Sequence, residues 1–384
     1  MRALVIGAGM MGSALAYDLA HSNMFDEVLI SDVNLQKAVG VAEKINKNVE
    51  PIQLDVNNYD DVIDLMSGVD VVISAVPYSY NYLLTKASLE AEKHFLDLGG
   101  SNEILKKQLQ LNEKAKEIGV SIIPNCGLAP GLVNILAVEG AKEFDLVDEI
   151  HLRVGGLPQH PRPPLNYQIV FSAEGLLNEY TEPVEVIRNG KFEIVNSLDD
   201  VEEIIFPEPF GALEAFNTSG GLSTLCQYFL GKVKELDYKT IRYKGHCEKI
   251  KTLLELGFAS NETLIIGNTI TTPREFFIDL LSKKLNYNDE DVVLLKTEIK
   301  GEIEHKPKIL VYEMIDYFDK ANQISAMMRT TSYPTSIIAQ MLLDGRINER
   351  GVVPPEYCTN ADEMIKELRK RDIFIAKTII SGEE

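Results

Sequence analysis

Gly7-Ala8-Gly9-Met10-Met11-Gly12 sets three glycines at a spacing suited to holding a pyrophosphate. In that pattern Gly7 permits a tight turn, Gly9 lets the backbone approach the phosphates, and Gly12 lets a helix pack closely on the preceding strand. A helix beginning at Met10 and Met11 would aim free N–H groups and a partial positive charge at the anion. Asp32 lies 20 residues beyond Gly12. Its carboxylate can accept hydrogen bonds from both ribose hydroxyls and would repel a 2′-phosphate, so the residues predict NAD in preference to NADP. Asp55 and Val56 are placed to line the adenine pocket, although a plain turn explains Asp55 equally well. Ala75-Val76-Pro77 closes a later strand, and its backbone is expected to run along the cofactor.

Asp97-Leu98-Gly99-Gly100 and the stretch from Pro124 to Gly131 are both glycine-rich strand ends, at the edge where open parallel sheets bind ligands. Asp97 and Leu98 are therefore expected beside the nicotinamide. Cys126 has no histidine near it in sequence to activate a thiol, so it receives no nucleophilic role. Arg242 offers a planar fork for a carboxylate. His246, four residues on, can move protons near neutral pH. The pair suits an amino-acid substrate, while spacing alone reads more readily as a surface salt bridge and a structural histidine. Tyr78 and Asn81 follow the fourth strand end and Tyr167 follows a proline-rich loop; each is a candidate substrate contact or a structural residue. No His or Cys pattern has metal-ligand spacing, so no metal site is expected.

These residues need elements that bring strand ends together. Residues 2–6, 27–31, 51–54, 69–75, 94–98 and 120–124 read as strands, separated by helical stretches at 10–21, 35–45, 62–66, 81–93 and 104–118. Such alternation predicts a doubly wound parallel sheet with helices on both faces, over residues 1–125. The rhythm then changes. Residues 149–154 alternate polar and apolar, and 184–187, 291–299, 309–316 and 323–330 are further strand candidates. A second α/β domain on a mixed, largely antiparallel sheet is expected over 126–332. Four prolines between 157 and 165 mark a structured loop. A helix at 336–343, with Gly345 as its C-cap, opens a segment, 333–384, expected to return to the first domain.

The composition is that of an ordinary globular chain of 384 residues, 45% hydrophobic and 25% charged. Lys and Arg number 38 against 58 Asp and Glu, a formal charge of −20. That charge repels phosphate backbones and anionic lipid, so neither nucleic acid nor a membrane surface is an expected partner. No run of about 18 apolar residues offers a bilayer span. Arg2 is the only Lys or Arg before Lys37, which does not fit a signal peptide. Four scattered cysteines without a CxxC pair point to a reducing, cytoplasmic setting.

GAGMMG at 7–12, DLGG at 97–100, PNCGLAPG at 124–131, VGGLP at 154–158, VFSAEGLL at 170–177, LEAFNTSGG at 213–221, YKTIRYKGH at 238–246 and RGVVPPE at 350–356 together resemble the saccharopine dehydrogenase family. The resemblance runs over nearly the whole chain and is nearest to members that deaminate lysine. It implies a Rossmann domain, an α/β substrate domain and a homo-oligomer. It also implies NAD-dependent oxidation of the L-lysine ε-amine to allysine, which cyclises to piperideine-6-carboxylate, with release of ammonia. Arg242 would then hold the lysine α-carboxylate, and His246 or Asp97 would accept a proton from the amine as hydride leaves Cε. Tyr78 would touch the substrate. Where saccharopine-forming members carry an arginine, this chain has Ser172-Ala173-Glu174, which disfavours a tricarboxylic substrate. Saccharopine or a carboxylated polyamine remains the alternative within the family, and a non-catalytic dinucleotide-binding regulator the alternative outside it.

Overall fold

Short apolar strands, nearly continuous in Val, Ile and Leu, are buried on both faces only when helices cover both sides of a parallel sheet. The computed structural model, which describes residues 1–287 and 289–382, forms such a sheet from β1 (Arg2–Ile6), β2 (Glu27–Asp32), β3 (Val49–Gln53), β4 (Val71–Ser74), β5 (His94–Asp97) and β6 (Ser121–Ile123). Their order is β6-β5-β4-β1-β2-β3, and the short strand Gly351–Val352 adds to the β6 edge. Every pairing in it is parallel. The expected helix over 104–118 is two helices, Asn102–Leu109 and Asn112–Ile118, broken at Gln110 and Leu111.

The chain divides into two compact units. The first holds Met1–Lys142 and Met328–Ile373; the second holds Glu143–Met327 and the stretch from Phe374 onward. The helix Leu132–Ala141, buried along most of its length, extends the first unit past the glycine-rich turn that follows β6.

The second unit is built on a nine-stranded sheet. Its main path runs Glu202–Phe206, Gly211–Asn217, Glu235–Arg242, Leu146–Pro158, Asp291–Ile303, Lys306–Tyr317 and Ile375–Ser381. Glu235–Arg242 and Leu146–Pro158 pair in parallel, and the other pairings are antiparallel. This is the mixed, largely antiparallel sheet that the alternation predicts. The stretch 323–330 is no strand. Its chain turns and enters the helix Ala326–Leu343. The buried Asp291 carboxylate accepts the Ala326 and Met327 amides at 2.7 and 2.9 Å, a capping interaction that weak alternation cannot outweigh.

Period-2 geometry splits the strand Glu235–Arg242 between two environments. Asp237 and Lys239 face one side, and Tyr238, Thr240 and Arg242 face the other. On the first side, Asp237 accepts from Arg153 Nη1 and His151 Nδ1, each at 2.7 Å. Burial alone would raise the Asp237 pKa, but these donors hold it far below the carboxylate range.

Candidate active site

β1 runs into the glycine loop where the strand order reverses between β1 and β4, the position at which such sheets bind ligands. Gly7 lies at φ +105°, and a Cβ there would stand 2.8 Å from the Ala75 carbonyl oxygen. A Cβ on Gly12 would stand 1.7 Å from the Gly7 carbonyl oxygen, so only glycine lets the helix approach. Gly9 differs, since nothing lies within 4 Å of where its Cβ would be. That open backbone precedes the helix Met10–His21, whose N-terminus has no side-chain cap. Free amides beside open space fit a phosphate. Asp32 is held at the loop, accepting the Ala8 amide at 3.0 Å and the Asn34 amide at 2.9 Å.

The remaining residues expected around the dinucleotide are spread along the same strand ends. Met10 is exposed, and the Met11 carbonyl accepts the Ser332 hydroxyl at 2.9 Å. Asp55 accepts its own turn's Asn57 amide at 2.9 Å, and Val56 packs on the core of the unit. The Ala75 amide donates to the Ile6 carbonyl at 2.8 Å. Val76 is half-buried against Gly7, Pro77 is exposed and Leu98 is half-buried. These residues fit a dinucleotide laid across the sheet edge.

Asp97 is fully buried. Its Oδ1 accepts the Gly99 and Asn125 amides at 2.8 and 3.1 Å, and its Oδ2 accepts Gln108 Nε2 at 2.7 Å. Burial raises its pKa, and the three donors oppose that. The carboxylate thus ties the end of β5 to the turn after β6. Tyr78 lies against Gly100, where a Cβ would be 3.0 Å from its ring. Asn81 accepts the Ser74 hydroxyl at 2.7 Å. Burial pushes the Cys126 thiol well up, so it is no ready thiolate.

In the second unit a polar chain runs through an apolar cluster that includes Tyr167, Tyr180 and Phe216. Arg242 Nε donates to the Tyr180 hydroxyl at 3.0 Å. Tyr180 and His246 Nε2 are 3.0 Å apart, and His246 Nδ1 is 3.0 Å from the Leu165 carbonyl. A carbonyl can only accept, so Nδ1 carries the proton and Nε2 takes the Tyr180 hydrogen. Burial, helped by the Arg242 charge, pushes the His246 pKa down to about 3. His246 is therefore neutral at physiological pH, with both ring nitrogens engaged.

Arg242 is 2% exposed and remains charged. Its guanidinium lies 4.6 Å from the Tyr167 ring centre and 5.9 Å from that of Tyr180. Among the described residues it hydrogen-bonds only Tyr180 and the Ile241 carbonyl, and no carboxylate reaches ion-pair distance. The fully buried Tyr167 hydroxyl has no well-formed hydrogen bond, although the Val170 backbone is beside it. Half-buried Glu179, on the helix Ala173–Thr181, brings a carboxylate into the same field. Burial pushes its pKa up to about 7, which Arg242 opposes and Glu182 reinforces.

The structure thus gathers Arg242, His246 and Tyr167, and Arg242 is buried rather than the surface salt bridge that spacing alone suggests, while Asp97 and Tyr78 belong to the other unit. Glu179, Tyr180 and Tyr238 are additions that the sequence reading missed. The signal available was the acid and tyrosine that follow the apolar pair Leu176-Leu177 in Leu176-Leu177-Asn178-Glu179-Tyr180.

Two family models divide the chain between them. The saccharopine dehydrogenase NADP binding domain matches residues 3–123, and the saccharopine dehydrogenase C-terminal domain matches residues 127–373. The chain belongs to the saccharopine dehydrogenase family. Mouse mitochondrial alpha-aminoadipic semialdehyde synthase is 24% identical over 92% of this chain and 45% of its own length. The chain therefore spans about half of that relative. The L-glutamate-forming, NADP-dependent saccharopine dehydrogenase of Saccharomyces cerevisiae is 22% identical over 98% of this chain and 99% of its own. Carboxynorspermidine synthase of Vibrio cholerae is 26% identical, covering 96% and 94%. The solved apo saccharopine dehydrogenase of Saccharomyces cerevisiae superposes with a TM-score of 0.82 at 19% identity, over 99% of this chain and 100% of that one, which establishes the shared fold. Among the described residues no helix is long and apolar enough to cross a membrane, and no group of three or more His, Cys, Asp or Glu is arranged to hold a metal ion.

Proposed function

We propose that this protein is an NAD-dependent amino-acid dehydrogenase that oxidises the ε-amine of L-lysine, a lysine 6-dehydrogenase. One observation carries the reading. Arg242 is a buried guanidinium flanked by tyrosines, with no carboxylate of the protein paired to it. A buried cation without a counter-ion is unfavourable unless a ligand supplies the anion, and an amino acid's α-carboxylate does so bidentately.

The charged groups acting on the neighbouring Glu179 are Arg242 and Glu182. One cation among two acids suits a substrate with a single carboxylate and an additional amine. Saccharopine, with three carboxylates, calls for more cations. His246 and Tyr180 orient Arg242 through their hydrogen-bonded chain, and Asp97 fixes the two strand ends beside the dinucleotide. The bound nicotinamide supplies the hydride acceptor, and Asp32 favours an unphosphorylated ribose. All four cysteines are unpaired, which supports a reducing, cytoplasmic setting. The family resemblance supports a homo-oligomer.

The test is an absorbance screen at the NADH band with NAD or NADP and a panel of amino acids. Lysine with NAD should lead, ahead of ornithine and saccharopine. Faster turnover of saccharopine, or NADH consumption with lysine plus 2-oxoglutarate, would give the protein the saccharopine reaction instead. Tight dinucleotide binding without turnover of any amine would make it a regulator.

A further inference from the structure

We propose that the hairpin spanning Leu264 to Thr271 and the groove beside it form a contact through which two copies of this chain associate. This rests on the homo-oligomer reading, and it names the surface.

The hairpin is made by Leu264–Ile266 and Thr269–Thr271, which form a two-stranded sheet of their own. An isolated two-stranded hairpin is at best marginally stable in water, so it needs a surface to pack on. Its register pairs Ile265 with Ile270. Because side chains alternate between faces, this pair stands on one face as an apolar ridge, 75% and 73% exposed. Leu264 and Ile266 point to the opposite face. There, with Leu256, Phe258 and Phe276, they line a groove of about 290 Å3. One patch therefore carries both a projection and a recess.

The helix Pro273–Leu285 beside the groove is apolar on two sides. Phe277, Leu281 and Leu285 are buried in the core of the unit, whereas Phe276 and Leu280, one turn apart, are exposed. A helix with a second apolar stripe has a second face to cover. The seven exposed Leu, Ile and Phe residues of hairpin, groove and helix together leave about four complete residues' worth of surface in water, on the order of 700 Å2. Each partner of a stable complex buries about 800 Å2, so the patch is of the size a dimer needs.

Charge selects the occupant. Each chain carries −20, yet no charged residue occurs from Leu256 to Asn261 or from Thr263 to Pro273. Two like-charged copies meet with least repulsion where neither presents charge. The same lack of Lys and Arg removes any attraction to anionic lipid or nucleic acid. A surface that holds ridge and groove together is complementary to itself. A two-fold axis would seat each ridge in the other copy's groove.

The experiment is sedimentation velocity on the full chain over a concentration series. The wild type should sediment as a dimer or a multiple of one. The double variant Ile265→Asp, Ile270→Asp should weaken association at least about 100-fold, the effect of losing central apolar anchors. Its melting temperature at concentrations where both proteins are dissociated should match the wild type, because both side chains face away from the groove. A wild type that is monomeric throughout overturns this inference and the homo-oligomer reading together. A dimer untouched by the double variant overturns this inference alone. Should the double variant misfold, mixing Ile265→Cys with Phe276→Cys and adding a short bis-maleimide reads the seating directly. A covalent pair with one of each, absent from wild type, supports it; chains that stay unlinked overturn it. Monomers that float with neutral lipid vesicles would make the patch a lipid-binding surface and also overturn it. None of these measurements needs turnover, so the outcome is separate from the assignment of lysine as substrate.

Discussion

The glycine loop and the Arg242 cluster are two ways of preparing for a charged ligand. In the loop, the groups that would meet the phosphates are backbone amides, released by an uncapped helix and kept open by Gly9. Everything needed lies between residues 7 and 32. In the Arg242 cluster the groups are side chains drawn from residues 167 to 246, held in an apolar surround that raises or lowers each pKa. A backbone site tolerates no side chain, and a side-chain site tolerates no mismatch of charge.

Gly12→Val should give the largest effect, because its Cβ would collide with the Gly7 carbonyl at 1.7 Å. Dinucleotide binding should be lost and melting lowered, whereas Gly9→Ala should melt like the wild type and weaken NADH binding on the order of tenfold. Equal behaviour of the two by calorimetry would erase the distinction between a packing glycine and a ligand-facing one. Arg242→Ala comes next. Loss of a buried charged contact is worth roughly 2–5 kcal/mol, so KM for lysine should rise at least about 30-fold while KM for NAD holds. Unchanged lysine kinetics would remove Arg242 from the substrate site.

The neutral state of His246 predicts an acid weakness. Its folded pKa, about 3, lies below the ordinary 6.5, so the unfolded chain binds the proton first. The histidine's contribution is intact above 6.5 and is lost as pH falls from there toward 3. At pH 5 that amounts to roughly 2 kcal/mol. Glu179, with its folded pKa raised, acts in the opposite sense, stabilising at low pH and losing that contribution as pH rises toward 7. His246→Gln should therefore narrow the gap in melting temperature between pH 7 and pH 5; an unaltered gap would mean that His246 is protonated in the fold. The smallest effect expected is Asp32→Ala, which should lower the preference for NAD over NADP by about tenfold, from the loss of one repulsive carboxylate. Discrimination left intact in steady-state kinetics would move that selectivity elsewhere.

How much was legible beforehand follows the same division. The parallel sheet could be read because each strand is a short apolar run next to a helix of period 3.6, and the loop because its spacing is local. The stretch 323–330 misled because alternation there competed with a capping carboxylate at Asp291, more than thirty residues away. His246 and Asp97 both looked like proton acceptors by residue type. Their hydrogen-bond partners, Tyr180 and Leu165 for one and Gly99, Asn125 and Gln108 for the other, are invisible to spacing.

By itself the sequence determined the order of strands and helices in the parallel sheet, the glycine turn and the acid after it, since each depends on neighbours within a few tens of residues. Tertiary structure alone decided which ionisable groups are charged and which are satisfied. Protonation depends on burial and on partners brought together across long stretches of chain, and neither can be counted along it.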